Sequence, residues 1–108
     1  MNKTDINKSL AELKELMGQR FGFEMELYLF GSVARNDYGP ESDIDVLVLL
    51  PGEVDTLLKT EVIDLAYDIG LKNDVVFNMI TRSKKIWESD MAAVTPFHEN
   101  LTREALRI

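Results

Sequence analysis

The chain predicts a small α/β (α+β) domain in which helices pack on a mixed β-sheet. Three observations carry that expectation. Helix-like and strand-like segments alternate along the sequence, which suits two or three packed layers. One strand candidate, Val46-Leu47-Val48-Leu49-Leu50, is apolar at consecutive positions and so requires cover on both faces. The length of 108 residues, with 45% hydrophobic, suffices for one core, so residues 1–108 are expected to form a single domain.

The elements follow in order. Residues 4–17 read as an amphipathic helix, because Ile6, Leu10, Leu13 and Met17 recur at helical spacing and Gly18 can close it. Residues 24–30 read as a strand, with Tyr28, Leu29 and Phe30 favouring β. That strand ends at Gly31-Ser32, before a short helical turn and a loop closed by Gly39-Pro40. Residues 43–50 form the second strand, which Pro51-Gly52 terminates. Residues 54–69 form the longest helix, with Val54, Leu57, Leu58, Val62, Leu65, Ala66 and Ile69 on one stripe and Gly70 as its cap. Residues 74–80 give a third strand, and Ser83 caps a short helix through Trp87. Thr95-Pro96 opens a last helix with Phe97, Leu101 and Ala105 on one face.

Composition narrows the function. The net charge of −7 lacks the basic footprint of a protein that grips a nucleic-acid backbone. Lys84-Lys85, Arg103 and Arg107 read as solvated helix faces. The absence of cysteine excludes a disulfide scaffold and a thiolate metal site. There is no secretory-type leader and no apolar run of membrane-spanning length, so the cytoplasm is the expected location.

The chemistry concentrates in residues 30–46. Asp43 and Asp45 stand at i and i+2 at the start of a strand, so both carboxylates share one face while Ile44 and Val46 turn into the core. Two adjacent anions repel, and hard oxygen ligands of this kind suit Mg²⁺ or Mn²⁺. Taken alone, Asp-x-Asp is more often a pair of exposed strand-end acids. Upstream, Gly31-Ser32 ends a strand before a helical turn, where glycine allows close approach of a phosphate and the serine hydroxyl adds a donor. Taken alone, that too is an ordinary strand-to-helix turn. Arg35, one turn later, could neutralise phosphate charge or pair with Asp37 or Glu41 on the surface.

Together the two features are more specific. Gly31-Ser32, ten residues, then Asp43-Ile44-Asp45-Val46 resembles the signature of the nucleotidyltransferase superfamily that includes the DNA polymerase beta palm. Gly31-Ser32-Val33-Ala34-Arg35 followed by Ser42-Asp43-Ile44-Asp45 is similar, more closely, to the minimal nucleotidyltransferases of bacteria and archaea. The resemblance runs from about Leu27 to Ile80, and the tail around Trp87 and Thr95-Pro96-Phe97-His98-Glu99-Asn100 matches more loosely. Asn36 stands where such proteins commonly carry glycine, a position where asparagine tolerates a left-handed backbone.

The resemblance implies a nucleoside triphosphate donor, ATP, bound by Gly31, Ser32 and Arg35. It implies a third acid on a neighbouring strand, for which Asp74 is the candidate. Asp43, Asp45 and Asp74 would then hold two metal ions for in-line displacement at phosphorus, with Asp74 helping to deprotonate the acceptor. It also implies a small helical partner of HEPN type. A core of this size leaves no room for an acceptor-binding domain, so the acceptor is expected in trans, as a hydroxyl of that partner. The alternative is an antitoxin or subunit of the same fold that binds a nucleotide or partner without catalysis. His98 is expected to face solvent, and Trp87 and Phe97 either pack the C-terminal helices on the sheet or line a partner groove.

Overall fold

The computed structural model describes residues 2–22, 24–89 and 94–108. Among them, helix α1 is Lys3–Phe21, strand β1 is Glu26–Phe30, and the single-turn helix α2 is Gly31–Ala34. Strand β2 is Ile44–Leu50, helix α3 is Thr56–Asn73, strand β3 is Phe77–Ser83, and a second short helix, α4, is Lys84–Trp87. Helix α5 is Pro96–Glu104, and a two-residue strand, β4, is Leu106–Arg107.

The sheet has the order β3-β2-β1-β4 and is mixed, as expected. Strands β1 and β2 pair antiparallel, and β2 pairs parallel with β3 across the α3 crossover. The alternation of β2 explains its double-sided apolar run. Ile44, Val46, Val48 and Leu50 share a core with Leu13 and Met17 of α1 and Val62, Ala66 and Ile69 of α3. Leu47 and Leu49 face the other way, onto Leu101 of α5 and Trp87. Helices thus cover both faces, and β2 lies inside the sheet, between β3 and β1, with fully buried side chains on each face. Among the described residues no helix is long and apolar enough to cross a membrane.

Helix ends depart from the sequence expectation. Helix α1 passes through Gly18 and stops at Gly22, whose φ is +86°. Helix α3 passes through Gly70 to Asn73, and Asp74 forms its left-handed cap at φ +56°. Gly70 has a different task. The chain doubles back so tightly that a Cβ there would lie 2.5 Å from the Val75 carbonyl oxygen. Val75 N–H donates to the Gly70 carbonyl at 3.0 Å, which fixes the reversal. Strand β3 consequently starts at Phe77 and not at residue 74. The N-caps at Asp55 and Thr95 form as side-chain acceptors of Leu58 and His98 amides.

Candidate active site

The site forms where β1 ends and β2 begins. Antiparallel pairing sets Phe30 opposite Asp45, so the turn after Phe30 passes directly beside that carboxylate. Gly31 occupies this point with φ +74°. A Cβ built on it would lie 2.0 Å from Asp45 Oδ2, so any side chain there would have to displace the carboxylate. Both the backbone conformation and the carboxylate therefore demand glycine.

Asp45 is half-buried, and its second oxygen is also fixed. Asn78 Nδ2 donates to Asp45 Oδ1 at 3.0 Å, across the parallel register that pairs Asp45 with Asn78. Asp43 is exposed, two residues before Asp45 and immediately before the strand. Ile44 N–H, between them, donates to the Val76 carbonyl at 2.8 Å and locks this end of β2 to the edge of β3.

The structure does not bring Asp74 into this pair. It is spent on ending α3 and stands ahead of β3, exposed. Among the described residues no three His, Cys, Asp or Glu side chains are grouped to hold an ion. Asp74 instead lines a cleft of about 540 Å³ with Ser42, Asn78, Ile63, Tyr67 and Leu71. The donor chemistry of Asp43 and Asp45 fits one hard divalent cation, because two carboxylates completed by water or phosphate oxygens are an ordinary Mg²⁺ set. A three-carboxylate set for two ions is not assembled.

Arg35 makes the surface pair with Asp37 that the sequence offered and adds a partner the sequence did not, Glu104. Its guanidinium donates to Asp37 at 3.2 Å and to Glu104 Oε2 at 3.1 Å, and Glu41 takes no part. The other Glu104 oxygen accepts the Gly31 amide at 3.0 Å. That amide, followed by the Arg35 guanidinium, holds the Glu104 carboxyl below the usual carboxylate range. Asp37 and Glu104 in turn hold the Arg35 charge more firmly. Ser32 is half-buried in α2, and Asn36 adopts φ +59°, the left-handed conformation that asparagine tolerates.

Two residues of the site escape sequence reasoning. Asn78 had one signal, a polar residue breaking the apolar run Val75-Val76-Phe77 and Met79-Ile80. Glu104 had another: an acid in the last turn of a helix opposes the helix dipole and calls for a partner elsewhere. His98 is also misread, because it stacks on Trp87 at 4.3 Å between ring centroids and its Nε2 meets the Trp87 carbonyl at 2.9 Å. Phe97 meets Trp87 edge to face at 6.0 Å, so these rings do pack the C-terminal helices. Lys84 pairs with the buried Glu26, and Arg107 lies in β4, so neither belongs to a solvated helix face.

A model of the nucleotidyltransferase domain family matches residues 10–104 of the chain. A "Putative protein adenylyltransferase" of Methanocaldococcus jannaschii is 36% identical over 98 residues, covering 90% of this chain and 91% of that protein. A second protein of that description from the same organism is 46% identical over 59 residues, covering 54% of this chain and 59% of its own length. The bifunctional uridylyltransferase/uridylyl-removing enzyme of Vibrio vulnificus is 32% identical across 89% of this chain, which spans 12% of that enzyme. Among solved structures, the crystal structure of a toxin-antitoxin with AMP-PNP is similar at a TM-score of 0.56 and 19% identity, over 99% of this chain and 72% of that one, a likeness of fold.

Proposed function

The chain belongs to the nucleotidyltransferase domain family, and from that membership we propose that it moves AMP from ATP to a hydroxyl of a partner protein. The observation that carries this reading is the meeting of Asp45 with Gly31. A carboxylate for a cation and a turn for a phosphate are useful together only where both act on one metal-bound phosphate chain.

In this proposal Asp43 and Asp45 hold Mg²⁺ or Mn²⁺. Such an ion, when bound, offsets phosphate charge and polarises the α-phosphate. Gly31 and Ser32 receive the triphosphate tail. Arg35 adds a fork of donors once it exchanges Asp37 or Glu104 for phosphate oxygens. The acceptor hydroxyl oxygen bonds to the α-phosphorus and releases its proton to water, the bond from the α-phosphorus to the α–β bridging oxygen breaks, and pyrophosphate leaves. Asp74 stays outside the metal set and lines the cleft beside it. The exposed Ile63, Tyr67, Leu71 and Val76 around that cleft give a protein acceptor an apolar surface next to the site.

The partner is proposed to be a small helical protein of HEPN type, encountered in the cytoplasm. The likeness of fold to a toxin-antitoxin component and the protein adenylyltransferase relative support an acceptor that is itself a protein. A second reading, a nucleotide- or partner-binding antitoxin without catalysis, is favoured by one observation: β3 presents Asn78, and not a carboxylate, to Asp45. Incubation with ATP labelled at the α-phosphate, Mg²⁺ and the co-purifying protein separates the two. Label on that protein supports transfer, whereas a stable complex without label supports the binding module.

A further inference from the structure

We infer that Asn78 is a positioning residue for the Asp45 carboxylate and that, with a neutral amide in this place, each chain takes one tightly held divalent cation and not two. The inference rests on the proposed function, since it concerns the ion that Asp43 and Asp45 would hold.

The geometry constrains Asp45 from both sides. Its Oδ2 stands over the Gly31 Cα, in the space a Cβ would fill. Its Oδ1 takes the Asn78 Nδ2 hydrogen bond at 3.0 Å. An ionised carboxylate only accepts, so the amide must present its NH₂ group and not its oxygen. Asn78 therefore orients Asp45 and cannot use that contact to ligate an ion.

Strand register closes the alternatives. Strand β3 sets Asn78 opposite Asp45 and Phe77 opposite Ile44, and it binds this end of β2 through the Val76 carbonyl. Asp74 is held in the α3 cap. The pair thus carries two negative charges, which one divalent cation balances. A second cation would meet excess positive charge without a protein ligand. An aspartate at position 78 would supply that ligand, at the cost of repelling Asp45 in the absence of metal.

Titration of the full chain with Mn²⁺ alone, counting bound ions by the spin-resonance signal of the free ion, tests this. The wild-type chain should bind one ion. Asn78→Asp should bind a second. Asn78→Leu, similar in size but without the donor, should bind its ion about tenfold or more weakly, the usual effect of losing a hydrogen bond to a ligand. Because Asn78 is exposed, its melting temperature should match the wild type. A purely structural role would move melting and leave the affinity alone. Two equally tight ions on the wild-type chain, or unchanged affinity in Asn78→Leu, would overturn the inference and leave the proposed function standing. No bound ion on the wild-type chain would overturn both.

Discussion

Gly31 and Asp45 exclude every other side chain from the space between them: a Cβ on Gly31 would stand 2.0 Å from Asp45 Oδ2. Gly31→Ala must therefore displace the carboxylate as well as strain a backbone at φ +74°. Strain of this kind costs about 1–3 kcal/mol. The variant should remain folded, melt at a lower temperature, and lose Mn²⁺ affinity together with activity. Normal metal affinity in a folded Gly31→Ala chain would show that the two residues do not share a function.

Glu104 ties the last helix to the same turn. One oxygen takes the Gly31 amide and the other takes Arg35. Replacing it by glutamine removes the charge while keeping the shape. The Gly31 amide should then exchange its hydrogen roughly fivefold faster, reflecting a charge-assisted hydrogen bond discounted for partial exposure. Amide exchange followed by NMR reads this directly, and unchanged protection would mean that Glu104 does not hold the turn.

Glu26 gives the fold a pH dependence. Its buried carboxylate pairs with Lys84, accepts the Tyr28 hydroxyl at 2.6 Å, and has Arg107 at 3.7 Å. The hydrogen bonds from Lys84 and then Tyr28 hold its carboxyl below the ordinary value of 4.5. A depressed native value means that the stabilisation is present above the unfolded-state value and is lost as pH falls through the native one. Urea midpoints should drop as pH falls below the ordinary value of 4.5, and Glu26→Gln should flatten part of that slope. An identical slope in the variant would remove Glu26 from the account.

The α5 face of the sheet rests on a few side chains. Leu47 is 1% exposed and packs with Leu49 and Leu101. Leu47→Ala should cost about 2–5 kcal/mol, the range for truncating a buried leucine. Denaturant unfolding measures it. A loss below about 1 kcal/mol would mean that the site collapses around the cavity and that α5 is loosely docked.

How much of this was legible in the sequence depends on the range of the interactions. The strand β2 was readable because its apolar run and its Asp-x-Asp start are local patterns. The start of the last helix at Thr95 was readable from its local cap, whereas α3 begins after the Asp55 cap, two residues later than the expected start at 54. Helix ends were not readable. Gly18 and Gly70 looked like stops, yet α1 runs on to Phe21, which packs on the core, and α3 to Asn73, whose amide donates to Glu12 of α1 and to the Ile69 carbonyl. That extension consumed Asp74 as a cap and moved the start of β3 to Phe77, which is why the expected third acid left the site. Asn78 and Glu104 entered it through strand register and helix docking, two relations between residues 33 and 73 positions apart. The strand β4 is two residues long and is defined only by pairing with β1.

Transfer of label from α-phosphate-labelled ATP to the co-purifying protein, compared between the wild-type chain and Asp43→Asn/Asp45→Asn, tests the central claim most directly. Both substitutions keep size and remove charge, so the fold should persist and the partner should still bind. With several kcal/mol of transition-state stabilisation lost, transfer should fall at least about a thousandfold. Transfer at the wild-type rate in a folded double variant would contradict the assignment of this carboxylate pair as the centre of the chemistry.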